Sequence, residues 1–340
     1  KYPKYKDKNN EENLKDYLNT YVRDYADDLD VSGLDINDID GFVFDWTKVI
    51  NENSLEVTIT FENSEQETVI FTTDLLLGGE DLYDYKRGIT IEGKDNFILS
   101  PLKEGTTNRV VLNYWNGYPF DFGFVLKEVD SGDVAIKNYT NSITSTNINT
   151  TNKANRLFLS NGDTTQTLED FLPLTLGYND LELFEDNESN KFISFIDLWK
   201  KESDCGVYLK WLNQYGSYNY WLFNKAYAHN ESSQSLGLIN NDFNNLKDTI
   251  SQSKSLGKNT SSSLDLLSDN LNSNDINMLK GVLSSAKVYL FMGERFTANT
   301  FNQWLEVQIP NSNQTLRDFK NNTPEVRISI DLPNGYNIKL

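Results

Sequence analysis

The chain has 340 residues, long enough for two ordinary domains, and its 38% hydrophobic and 13% aromatic content is sufficient to build packed cores. A formal net charge of −19, from 50 acidic against 31 basic residues, disfavours nucleic-acid backbones and anionic membrane surfaces as partners. One cysteine excludes an intrachain disulfide, and one histidine beside it is too little for a zinc site.

Residues 9–28 carry Leu14, Leu18, Tyr21, Val22 and Tyr25 at three- and four-residue spacing, with acids in the first turn, which predicts an amphipathic N-terminal helix. An acidic loop follows to Gly41. Within it, Asp28, Asp30, Ser32 and Gly33 match the first half of a calcium-binding EF-hand loop. The twelfth position, which should supply a bidentate carboxylate, is Ile39 between Asp38 and Asp40, so a solvated acidic loop is the preferred reading.

From Phe42 the period changes to two. Phe42–Ile50, Leu55–Phe61 and Thr68–Thr73 are rich in β-branched and aromatic residues and separated by Asn/Glu/Ser turns, which predicts an antiparallel meander. Gly78-Gly79 is followed by Glu80-Asp81, a turn rather than a phosphate loop, because two acids repel a phosphate. Further strands are expected at Arg109–Trp115, Phe120–Lys127, Val134–Tyr139, Arg156–Ser160, Leu181–Phe184, Phe192–Leu198, Val207–Asn213 and Ser217–Phe223. The last two read as a tight hairpin loaded with aromatic rings. Apolar runs such as Val207–Leu212 are far shorter than the roughly 18 residues of a membrane span.

Cys205 stands immediately before an expected buried strand and reads as a packed free thiol. His229 lies in a polar stretch and reads as an exposed loop histidine with no nucleophile signalled beside it. Residues 229–263 are Ser/Asn-rich and predict loops and extended strands rather than helix. Ser273 is the expected N-cap of a short helix over Asn274–Ser284, and Lys287–Met292, Trp304–Ile309 and Val326–Leu332 are closing strands.

No residue set points to catalysis. With 50 acids in the chain, some carboxylate pair always lies at glycosidase spacing, so such a pair identifies nothing. No catalytic, cofactor-binding or metal-ligating residues are therefore assigned, no cofactor is expected, and the protein is read as a non-enzyme. The hairpin rings Trp211, Tyr215, Tyr218 and Trp221 lie on both faces of the ribbon, which predicts burial in a core or against a neighbouring subunit. A sugar platform would instead expose coplanar rings.

The run from Cys205 to Phe223, Cys-Gly-Val-Tyr-Leu-Lys-Trp-Leu-Asn-Gln-Tyr-Gly-Ser-Tyr-Asn-Tyr-Trp-Leu-Phe, resembles a segment of virion structural proteins of tailed phages, many infecting Bacteroidetes-type hosts. Tyr114–Phe122, Asn155–Ser160, Asn241–Ser251, Leu283–Phe291 and Trp304–Val307 follow the same order as in that family. The resemblance covers roughly residues 105–340, and its ending is similar to distal-tail and baseplate-hub proteins. It implies a structural tail or tail-hub ring subunit in the virion, with other virion proteins and copies of itself as partners. A receptor- or carbohydrate-binding module is the alternative. The expected fold is mainly β: two antiparallel β-sandwich or barrel modules (41–200, and 201–340 with a Ser/Asn-rich loop insertion) behind residues 1–40, with an N-terminal helix and one short C-terminal helix. In that reading Trp211, Tyr215, Tyr218 and Trp221 are interface residues, and neither nucleic acid nor membrane is a partner.

Overall fold

A computed structural model describes three short strands at 43–45, 55–60 and 68–73, Lys86, Lys94, and residues 96–126, 132–150, 154–161, 169, 172–186, 191–203, 205–240, 247, 250–285, 287–297, 303–310 and 325–338. The expected N-terminal helix, the acidic loop over 28–40 and Gly78-Gly79 lie outside the described residues.

The protein is mainly β, as its period-two patterning predicts. One sheet has the order β1 (Val43–Asp45), β10 (Ala154–Asn161), β6 (Pro119–Val125) and β4 (Phe97–Ile98). A second runs β5 (Arg109–Trp115), β12 (Lys191–Lys201), β11 (Gly177–Glu185), β7 (Gly132–Asn138) and β8 (Ile143–Thr144), with β9 (Ile148–Thr150) also on β7. A third runs β14 (Tyr218–Phe223), β13 (Val207–Leu212), β17 (Val288–Phe291) and β18 (Trp304–Val307), and a fourth β15 (Lys225–Asn240), β16 (Ser253–Ser268) and β19 (Val326–Ile338). β2 (Leu55–Thr60) and β3 (Thr68–Thr73) form a separate hairpin. None of these sheets closes into a barrel, so the modules are sandwich-like. Among the described residues, all strand pairings are antiparallel except β12–β5, where Phe195 is in register with Arg109 and Lys201 with Trp115.

Two expectations about connectivity are corrected. β1 pairs with β10, not with β2, so residues 42–73 are not a three-stranded meander. Neighbouring strands in sequence can be separated because a longer-range partner, Leu157 opposite Val43, completes the sheet. The Ser/Asn-rich segment is not a loop insertion: β15 and β16 pair along almost their whole length, from Lys225–Leu267 to Asn240–Ser253. The buried side chains from Ile98 to Ile330 form one contiguous cluster.

Burial explains the local patterns. Every residue of β6 is buried, as a continuous Pro-Phe-Asp-Phe-Gly-Phe-Val run predicts for a strand covered on both faces. β11 alternates, with Asn179, Leu181, Leu183 and Glu185 inside and Tyr178, Asp180 and Glu182 on the outer face. Gly117 turns the chain from β5 into β6 at φ +84°, and a Cβ there would sit 2.7 Å from the Phe296 ring, so glycine is required twice over.

Helix α1 (Ser273–Ser284) starts one residue earlier than expected, with Asn272 as N-cap. Asn272 Oδ1 accepts from the backbone N–H groups of Asn274 (2.9 Å) and Asp275 (3.0 Å), while Asp275 Oδ2 accepts from Asn272 N–H at 3.1 Å. Counted from Asn272, the third helical residue is the acid Asp275; counted from Ser273 it is Ile276, which cannot close a capping box. Asp275 Oδ1 also accepts from Asn113 Nδ2 at 3.1 Å, which ties the helix to β5.

Candidate functional site

The aromatic hairpin is where the sequence reading placed its interface residues. Its register is as expected, with Val207 opposite Phe223 and Leu212 opposite Tyr218. Asn213 makes the turn: its Oδ1 accepts from Tyr215 N–H (2.9 Å) and Ser217 N–H (3.1 Å), and its Nδ2 donates to Leu99 O. Yet Trp211, Tyr215, Tyr218 and Trp221 are only 0–4% exposed within the single chain. Two of them pack against rings far away in the chain: Trp221 meets Trp115 of another sheet edge-on at 5.0 Å, and Tyr218 meets Tyr289 of its own sheet at 6.3 Å. Their interface role is corrected to a core role, because side chains already covered on both faces by their own chain have no surface left for a neighbour.

Beside Tyr218 and Tyr220 of the hairpin lies a buried ion pair. Arg156 donates from Nε and Nη2 to the two oxygens of Asp121, both at 2.7 Å, and the Tyr220 hydroxyl also donates to Asp121. Gly123 stands directly opposite Arg156 in the β6–β10 register, so no side chain competes for that space. Burial works against the charged guanidinium, but the Asp121 carboxylate beside it keeps the Arg156 pKa above its ordinary value. Lys210, also fully buried, lies 4.0 Å over the Trp304 ring and 4.9 Å from that of Tyr218. Desolvation and the nearby Arg156 charge hold its pKa well below the ordinary lysine value, against the pull of Asp121. This arrangement is sealed from solvent, so it organises the core rather than meeting a ligand.

Two features do face solvent. The first is the arm made by β15, β16 and β19. Its base is core: Leu266, Val326, Ile328 and Ile330 are buried. Farther out, residues 229–236 are exposed one after another, so solvent reaches both faces of the strand. The outer stretch 229–240 spans roughly 40 Å at 3.3–3.4 Å per residue. Leu236, Leu238, Ile239 and Leu256 are 41–65% exposed on it. Among the described residues, the outer edge of β15 pairs with no strand. His229 sits in β15 rather than a loop; its Nε2 is 2.6 Å from Ser262 Oγ. Where the arm meets β18, Glu231, Ser232, Ser261, Glu306, Gln308 and Asp331 border a polar groove of about 530 Å³.

The second is the outer face of β7, β11 and β12. Trp199 and Tyr178 are cross-strand partners, 5.4 Å between ring centres and tilted 56°, and each is about 40% exposed. Tyr139, just past β7, is 44% exposed and donates to Glu182, with Lys137 4.5 Å over its ring. Asp197 lies beneath the rings and accepts from Lys103 (2.6 Å), Tyr178 (2.9 Å) and Arg109. Burial raises the Asp197 pKa, but these three donors outweigh it and hold the carboxyl below its ordinary value. The Tyr178 phenol is pushed up to about 12 by burial and by its bond to Asp197. Arg109 also pairs with Asp180 at 2.8 Å.

Cys205 is exposed, not packed. It lies in the connection from β12 to β13, and full burial begins only at Tyr208. Among the described residues no group of three or more His, Cys, Asp or Glu side chains is placed to hold a metal ion. No described helix is long and apolar enough to cross a membrane.

No protein-family model matches the chain, and no curated protein matches it.

Sequence reasoning missed the outer face, and of the arm it expected loops and extended strands but not the paired ribbon. The outer face left a faint trace, the alternation from Tyr178 to Glu182 and the bulky Trp199 in a strand. The arm left almost none, since a strand wetted on both faces needs no apolar alternation.

Proposed function

We propose that the protein is a structural component of a tailed-phage virion, a tail or tail-hub ring subunit that acts through protein–protein assembly. The observation that carries the assembly reading is the arm: a long three-stranded ribbon whose outer edge pairs with no described strand and which carries exposed apolar side chains. An open edge of this length is a template for pairing with another chain, and isolated proteins keep such edges short, charged or covered. Leu236, Leu238, Ile239 and Leu256 are 41–65% exposed, so each would gain roughly 0.6–2 kcal/mol on full burial, that fraction of the transfer energy of a wholly exposed side chain. The assignment to a phage tail rests on the resemblance of residues 105–340, and the buried hairpin within that span supplies a rigid body from which the arm can reach copies of itself and other virion proteins.

The test is light scattering and electron microscopy of the purified protein, followed by incubation with purified tails lacking it. Rings, or addition onto those tails, are expected for the native chain. Both are expected to be lost with Leu238→Asp and Ile239→Asp together, while circular dichroism and melting stay unchanged because both residues are exposed. A native chain that remains monomeric at every concentration and adds to no tail would overturn the proposal.

A further inference from the structure

We infer that the outer face of β7, β11 and β12 is a binding site for a neutral oligosaccharide, with Trp199, Tyr178 and Tyr139 as its stacking surfaces. This site is separate from the arm, and the inference does not depend on the assembly reading. The three rings come from three adjacent strand positions: Trp199 is opposite Tyr178, and Tyr139 N–H donates to Asp180 O two residues on. At the spacing of neighbouring strands they extend over roughly 10 Å, room for more than one sugar ring. The 56° tilt between Trp199 and Tyr178 gives two ring faces with different orientations, suited to the twist of a glycan chain rather than to one flat table. The axial C–H groups of a hexose stack on such faces, and its hydroxyls require acceptors and donors held in place around them.

Those polar groups are present and pre-oriented. Asp180 and Glu182 stand on the same face of β11 as Tyr178 and retain partial exposure. Arg109 fixes Asp180, and the Tyr139 hydroxyl fixes Glu182, so the acceptors are held before any ligand arrives. Three carboxylates (Asp180, Glu182, Asp197) are matched by three cations (Lys103, Arg109, Lys137), which leaves no local charge to select an ionic polymer. Nucleic acid and anionic lipid are disfavoured further by the net charge of −19. A protein partner fits poorly because charged groups are interleaved with the rings, whereas the centres of protein interfaces are depleted in charge.

The test is a glycan array carrying neutral gluco-, galacto-, manno- and N-acetylhexosamine oligosaccharides beside sialylated and sulfated ones, probed with the labelled full chain. The strongest neutral oligosaccharide is then titrated by calorimetry. Binding to a neutral oligosaccharide is expected, with affinity falling roughly tenfold or more in Trp199→Ala, the loss of one stacked ring. Tyr139→Ala, at a more exposed ring, is expected to weaken the same ligand and serves if Trp199→Ala fails to fold. Leu238→Asp on the arm should bind as the native chain does. Three results would overturn the inference: no neutral oligosaccharide bound, binding confined to the anionic glycans, or equal affinity in the ring variants and the native chain.

Discussion

Replacing Asp121 by Asn removes one negative charge and almost no volume from the centre of the core. Arg156 is 1% exposed and Asp121 2%, so neither can recover hydration when its partner changes. In the native chain the guanidinium makes two bonds of 2.7 Å to the carboxylate, and Tyr220 donates a third to the same group. After Asp121→Asn the amide can accept through only one oxygen, its NH₂ opposes the remaining donors, and a positive charge stays buried without its counter-charge. Breaking a buried pair in this way costs about 3–5 kcal/mol. That is a large share of a typical total of about 5–15 kcal/mol. Removing both charges with Asp121→Leu and Arg156→Met should cost clearly less than the sum of the two single changes, because no uncompensated charge remains. Urea unfolding followed by tryptophan fluorescence measures both quantities from the midpoint and slope. A loss below about 1 kcal/mol in Asp121→Asn, or strict additivity in the double variant, would refute a sealed, mutually dependent pair.

Asn272→Ala should cost about 1 kcal/mol by opening the capping box of α1, whereas Ser273→Ala, at the position favoured by sequence alone, should cost less; urea midpoints separate the two. The depressed Lys210 pKa means that the unfolded chain binds the extra proton between that depressed value and the ordinary 10.5, so native stability rises with pH across this window. Lys210→Met should flatten the rise, whose slope is at most about 1.4 kcal/mol per pH unit, in unfolding curves recorded from neutral pH to pH ~10. Parallel curves for the two proteins would contradict it. Cys205 should react fully with a chromogenic disulfide reagent in the native protein at a rate close to that of the unfolded chain; a protected thiol would contradict its exposure.

Much of the fold was legible because apolar patterning is a local property. β5 coincides with Arg109–Trp115 and β3 with Thr68–Thr73, and the 207–223 hairpin is recovered through its Asn-Gln-Tyr-Gly turn. Wherever one face of a strand is buried, alternation records it, as from Asn179 to Glu185. The short strands β4, β8 and β9 escaped, because two or three residues cannot express a period. Extended strands were expected over 229–263, but the length and pairing of β15 and β16 were not: their outer parts bury neither face, so backbone pairing holds them together and leaves side-chain type free.

The site followed the same division. Sequence by itself determined the residue inventory: a strongly acidic, β-rich chain with one cysteine, one histidine and a hairpin dense in aromatic rings. It could not decide which rings face water, because exposure depends on what the other sheets cover. Trp211, Tyr215, Tyr218 and Trp221 are buried, Trp221 against Trp115 and Tyr218 against Tyr289, residues far away in the chain, while Trp199 and Tyr178 stay about 40% exposed. Packing among distant segments, which no local pattern encodes, decided that the hairpin is core and that the arm and the outer face of β11 and β12 are left to solvent.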